Sequence, residues 1–292
     1  MSLHAASQNA AHVGRVLSEA SLALAQTQGL DKTVSRLEAR VLAAHAWQVS
    51  AAWLIAHDTD PLTSQQYAQF QALLKRRLNG EPIAYITGKR EFFGHSFTVT
   101  PAVLIPRPET ERLVEVALAQ IPIDRKLDIL ELGTGSGCIA ISLALARPLA
   151  RITAVDKESI ALAIARENAR QLHAPVYFLE SNWFSALATH KFDLIVGNPP
   201  YVAGDDPHLL RGDVRFEPLS ALQSGKDGME DLKHIIEHAP QYLRDRGSVA
   251  LEHGYNQAEN TVSLMKTNCF KNIKTWQDLS GKDRVTSGFL SE

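Results

Sequence analysis

Asn198 follows the apolar run Phe192–Val196 and Gly197, and precedes Pro199, Pro200 and Tyr201, in the stretch FDLIVGNPPY. Its side chain carries one acceptor oxygen and one donor NH2. Pro199 has no N–H but keeps its carbonyl, so two acceptors stand close together. Such a pair suits an –NH2 group with two hydrogens to give. An amide or aromatic amine nitrogen is a poor nucleophile, because its lone pair is delocalised. Two directed hydrogen bonds hold it, draw density onto nitrogen and aim the lone pair at an electrophile. The plain alternative is a strand-ending turn with Asn in the left-handed region.

A second constellation lies upstream, in LDILELGTGSGCIAISLALA. A strand expected over Leu127–Leu132 runs into Gly133, Thr134, Gly135, Ser136 and Gly137 and then a helix. Glycines let the backbone turn sharply and approach a ligand closely. The spacing is G-x-G-x-G, not the dinucleotide G-x-G-x-x-G. Glu131, two residues before Gly133, places a carboxylate where it can attract a cationic amine. Asp156 closes the next expected strand, and an acid there can take both hydroxyls of a ribose. After the third strand, Trp183 can lie against a flat heterocycle and Asn182 can pair with its edge. The bland readings are a tight βα turn, a helix N-terminal acid and a packed core tryptophan.

These residues need strands to deliver them. Strands are expected at Leu127–Leu132, Arg151–Val155, Val176–Leu179, Phe192–Val196 and Ser248–Glu252, most separated by helices. That rhythm implies an α/β fold with a doubly wound, mostly parallel sheet. Residues 1–80 read instead as a small all-helical bundle. Gly29 stops one helix, and Val34, Leu37, Val41 and Ala44 form the apolar stripe of another. Thr63 and Gln66 form a capping box for a third, which ends in basic residues and Gly80. Residues 81–105, rich in Ile, Tyr, Phe, Val and Thr, read as a β-hairpin linker ahead of a domain over 106–292.

The chain has 292 residues and a net charge of -2, which argues against a protein wrapped around nucleic acid. Only Cys138 and Cys269 occur, at no zinc or disulfide spacing. No apolar run approaches the roughly 20 residues of a membrane span. A cytoplasmic protein is expected.

Glu131-x-Gly-x-Gly-x-Gly with Asp156 resembles the class I S-adenosylmethionine-dependent methyltransferases. Asn198-Pro199-Pro200-Tyr201 resembles those acting on amino nitrogens of adenine, cytosine or a glutamine amide. VLIPRPETE (Val103–Glu111), DVRFEPLSAL (Asp213–Leu222), LEHGYNQ (Leu251–Gln257) and RVTSGF (Arg284–Phe289) make nearly the whole chain similar to the release-factor glutamine methyltransferases. The resemblance implies a seven-stranded sheet. It implies methylation of the glutamine amide in the Gly-Gly-Gln loop of class-1 peptide chain release factors. S-adenosylmethionine would be the cofactor and S-adenosylhomocysteine its product. Glu131, Gly133, Thr134, Gly135, Ser136, Gly137, Asp156, Asn182, Trp183 and Asn198 would bind it, with no metal. Asn198, Pro199, Pro200 and Tyr201 would bind the glutamine, with Asn198, Pro199 and Tyr201 catalytic. The helical bundle would recognise the substrate protein, and the chain would act as a monomer without nucleic acid or membrane. The resemblance departs at Asn182, where the family often has Asp; its carbonyl can still accept from the adenine amine.

Three other readings remain. A DNA adenine methyltransferase fits NPPY equally well, because adenine's amine presents the same two hydrogens. HIIEH (His234–His238) matches a zinc-peptidase pattern, though no third ligand is evident. A cofactor-binding module without catalysis leaves Asn198 unexplained.

Overall fold

The computed structural model describes residues 11–291. The chain divides into two compact units. One comprises the chain up to Gly88 together with the excursion Arg211–Phe216; the other comprises Lys89–Leu210 and Glu217 onward.

The first unit is helical: α1 (Val13–Gln28), α2 (Lys32–Trp47), α3 (Ala51–Ala56), α4 (Ser64–Leu78) and α5 (Ile83–Thr87). Its stops and starts are those the residues prescribe. Gly29 takes the left-handed conformation after α1, and Asp31 caps α2 by accepting from the Thr33 and Val34 amides. Thr63 and Gln66 form the reciprocal capping box of α4. The buried face of α2 differs from the expected stripe. Val34 and Leu37 are exposed, and Ser35, Ala39, Leu42, Ala43 and Trp47 are buried. Polar pairing turns the helix: Ser35 shares a hydrogen bond with Ser21 of α1, and Glu38 makes a two-pronged bond to the buried Arg77. Arg77 also donates to Asp213 of the excursion at 2.8 Å. A guanidinium so deeply buried requires such carboxylate partners.

Part of the stretch read as a hairpin linker is helical. Pro82 opens α5, and Gly88, left-handed, closes it. The hairpin itself begins the second unit, with β1 (Lys89–Phe92) and β2 (His95–Thr98) antiparallel. Phe93 and Gly94 both have positive φ, as a two-residue hairpin turn requires.

Then follow α6 (Glu111–Leu118), β3 (Asp128–Leu132), α7 (Cys138–Ala146), β4 (Arg151–Asp156), α8 (Ser159–Gln171), β5 (Val176–Glu180), β6 (Phe192–Gly197), α9 (Glu230–Tyr242), β7 (Leu243–Glu252), α10 (Ala258–Thr267), β8 (Phe270–Gln277) and β9 (Asp283–Leu290). The sheet has seven strands in the order β5-β4-β3-β6-β7-β9-β8. The first five run parallel, and β9 lies antiparallel to both β7 and β8. Two apolar layers sandwich it. Leu113, Ile139, Ile141 and Leu162, from α6, α7 and α8, pack in one, and Leu232, Ile235, Ile236 and Met265, from α9 and α10, in the other. β3 is buried along its whole length, its acids Asp128 and Glu131 included. Between β3 and β6 the strand order reverses, opening a crevice at the strands' carboxyl ends.

Candidate active site

β3 ends in the glycine turn, where Gly133, Gly135 and Gly137 have φ of 71°, 54° and 84°. These left-handed values suit glycine. At Gly137 a side chain would also collide. A Cβ there would meet Ile141 Cδ1 at 2.9 Å and the Ala165 Cβ at 3.2 Å. Close packing of α8 against the start of α7 therefore depends on that glycine. Asp156 at the end of β4 ties the turn down. One of its carboxylate oxygens accepts from the Gly135 amide at 2.8 Å, and the other from the Glu158 amide at 3.0 Å. Burial raises its pKa against the pull of these two amides.

Glu131 lies beneath the turn, fully buried, rather than on the crevice wall. Its Oε2 accepts from the Thr134 hydroxyl at 2.5 Å and the Ala140 amide at 3.1 Å. Oε1 has no partner among the described residues. Burial pushes its pKa up to about 8. From the ordinary carboxylate range up to about 8, the folded chain keeps a proton that the unfolded chain has released, so Glu131 makes stability fall as pH rises. Glu131→Gln is expected to flatten the decline of melting temperature across that window in ligand-free protein. An unchanged slope would show that Glu131 is not the buried acid described.

Asn198 follows β6. Its Nδ2 donates to the Thr110 hydroxyl at 3.2 Å. Tyr201 turns its hydroxyl towards Glu252 Oε1 at 3.3 Å, and its carbonyl accepts from Gln257 Nε2 at 3.1 Å. The chain at Gly228 passes so close that a Cβ would lie 2.4 Å from the Tyr201 carbonyl oxygen. Glu217, buried, accepts from the Ile105 amide and the Arg107 guanidinium. His253 shares a hydrogen bond with Thr286. The stretches flanking NPPY in sequence thus supply its supports: Thr110 from VLIPRPETE, Glu252 and Gln257 from LEHGYNQ.

One pocket gathers Gly133, Gly135, Asp156, Asn182, Trp183, Asn198 and Pro200 on its wall. Trp183 itself has positive φ, and its ring would lie 3.5 Å from a Cβ at Gly133. Thr134 and Ser136 are buried, and Gly137 serves helix packing. Glu131, Thr134, Ser136, Gly137, Pro199 and Tyr201 do not line the pocket. Residues not singled out in the sequence complete it: Ala102, Val103 and Leu104 before α6, Lys157, Glu158 and Ala161 around the start of α8, and Ser181, Pro218, Ser220 and Ala221. Val103, Leu104 and the Pro218–Ala221 run fall inside stretches already noted as motifs, which was the available signal. His234 and His238 stack 4.3 Å apart on α9. Among the described residues no cluster of His, Cys, Asp and Glu is placed to hold a metal ion. No helix there is long and apolar enough to cross a membrane.

The PrmC N-terminal domain family matches residues 15–88, and the methyltransferase small domain family matches 110–211. A release factor glutamine methyltransferase of Bordetella pertussis is 47% identical over 261 residues, covering 89% of this chain and 97% of that protein. The chain belongs to the release factor glutamine methyltransferase family. A second member, from Salmonella typhimurium, is 46% identical over 88% of this chain and 93% of its own length. Membership makes the chain a methyltransferase-family enzyme and accounts for the order of its motifs. A methyltransferase crystal structure from Pyrococcus furiosus shares the fold at 17% identity, with a TM-score of 0.53 over 75% of this chain and 98% of that one.

Proposed function

We propose that this family member binds S-adenosylmethionine in the pocket and methylates the glutamine side-chain amide in the Gly-Gly-Gln loop of class-1 release factors. The observation that carries the reading is Asn198. It stands on the wall shared with Asp156 and Trp183, with Nδ2 committed to Thr110 and Oδ1 left to accept. The pocket's chemistry fits the cofactor. Asp156 offers oxygens that can also accept from ribose hydroxyls, and the Trp183 ring is a surface for adenine. Asn182 would meet its edge.

The bound cofactor supplies a sulfonium methyl, an electrophile strong enough for direct transfer. The chain's residues have the remaining task. Asn198 Oδ1 accepts an N–H of the glutamine amide, orients its lone pair and stabilises the positive charge that grows on nitrogen. Pro199, buried and off the pocket wall, holds the turn with Pro200 and Tyr201. The proton leaves late, to water.

The helical unit is proposed to grip the substrate protein. Its groove carries exposed Leu22 and Ile55 beside Lys32, Arg36 and Arg40. Leu22→Glu with Ile55→Glu is expected to raise KM for whole release factor severalfold and leave cofactor affinity unchanged. An unchanged KM would remove the groove from the account.

The methylation itself is tested with label on the cofactor's methyl and three acceptors: release factor, the same factor with that glutamine replaced by alanine, and duplex DNA. Label should enter the first alone. Label in DNA would favour an adenine amine as the acceptor, and equal label in both proteins would overturn the assignment to glutamine.

A further inference from the structure

Glu252 is a buried acid that the mechanism above does not use. Gly197 pairs with Leu251, so the next residues, Asn198 and Glu252, stand at adjoining strand ends. Glu252 is 1% exposed. Its Oε1 accepts from the Tyr201 hydroxyl at 3.3 Å, its Oε2 has no partner among the described residues, and the Thr110 hydroxyl is near enough to favour its charged form. Thr110, also buried, accepts in turn from Asn198 Nδ2.

A hydroxyl has one hydrogen to give. An ionised carboxylate only accepts, so the Thr110 hydrogen goes to Glu252 and the Thr110 oxygen is left to accept. Asn198 must then present NH2 to Thr110 and Oδ1 to the pocket. With the direction reversed, Asn198 would offer NH2 to a substrate –NH2, donor against donor. We propose that Glu252, acting through Thr110, is a positioning residue that fixes the donor–acceptor direction of the Asn198 amide so that Oδ1 meets the substrate nitrogen. The proposal rests on the reading of Asn198 as the amide-binding residue.

Protonation of Glu252 removes this one-way constraint, because an acid can donate as well as accept. The groups facing it are the Thr110 and Tyr201 hydroxyls, Arg284 on β9, Glu109 before α6 and Cys138 at the start of α7. Arg107 adds positive charge near Tyr201, and neighbouring His253 is buried with its pKa lowered. Burial is the largest influence and pushes Glu252 to about 7 against the two hydroxyls and Arg284.

Two measurements test the relay. In protein carrying 15N-asparagine, without cofactor, the Asn198 side-chain NH2 resonances should titrate with a midpoint near 7 and stay flat in Glu252→Gln. In single-turnover methylation, Thr110→Val should lower the rate about tenfold, as expected for one hydrogen bond to a charged network, with unchanged cofactor Kd. Thr110→Ser should restore it and show that the loss is not a folding defect. The wild-type rate should rise through the same pH midpoint, and that rise should vanish in Glu252→Gln. A resonance that does not titrate in the wild type, or a Thr110→Val enzyme with the wild-type rate and pH profile, overturns the relay. If Asn198→Ala keeps its turnover, the underlying reading of Asn198 fails. If that variant is dead and Thr110→Val is normal, only the relay fails.

Discussion

Asn198→Ala is expected to lower the methylation rate of release factor by about 100- to 1,000-fold and to leave the cofactor Kd within a few fold. The size follows from comparable cases, in which removing one preorganised group facing developing charge costs about that much. Asn198 combines that electrostatic role with aiming a weakly nucleophilic lone pair, so truncation removes both contributions. Cofactor affinity is spared because the Asp156 carboxylate and the Trp183 ring, across the same pocket, are untouched. Equilibrium binding and single-turnover kinetics on one preparation separate the two effects. Lost cofactor binding with normal turnover of the residual complex would assign Asn198 to the cofactor instead.

The reverse pattern is expected of Asp156→Ala. Two ribose hydroxyls donating to a carboxylate are charge-assisted bonds, and their loss weakens cofactor binding by about 3 kcal/mol, or roughly 100-fold in Kd. The Gly135 and Glu158 amides lose their acceptor at the same time, which loosens the turn. At saturating cofactor the rate should fall far less than in Asn198→Ala. Calorimetric titration reads the Kd directly. A Kd unchanged by the substitution would place the ribose elsewhere.

Local rules made much of this legible in the sequence. The Thr63–Gln66 box and Gly29 stop are short-range chemistry and appear as read. The five parallel strands stood out because each is a short stretch rich in Ile, Leu, Val and Phe, most of them followed by a helix. β8 and β9 did not, since β8 lies at the sheet's edge, with Lys271 and Lys274 on a mostly exposed strand. The buried face of α2 departs from its apolar stripe because the Arg77–Glu38 and Ser21–Ser35 pairs are long-range, and apolar periodicity does not register them. At the site, residue types and spacing single out the turn, Asp156, Trp183 and Asn198, which share one pocket. It did not distinguish residues that line the pocket from residues that support it. Glu131 carries the sequence signature of a ligand-facing acid, yet it sits under the glycine turn holding Thr134 and Ala140. Thr110 and Glu252 belong to motifs noted for their family resemblance, and only three-dimensional placement shows that they converge on NPPY.

In the proposed reaction the strand-end amide of Asn198 delivers a glutamine side-chain nitrogen to the cofactor's methyl. Its most direct test is tandem mass spectrometry of release factor after reaction with methyl-labelled cofactor. One added methyl is expected, on the side-chain nitrogen of the Gly-Gly-Gln glutamine, present with the wild-type enzyme and lost with Asn198→Ala. A methyl on any other residue, or one that persists undiminished with Asn198→Ala, would contradict it.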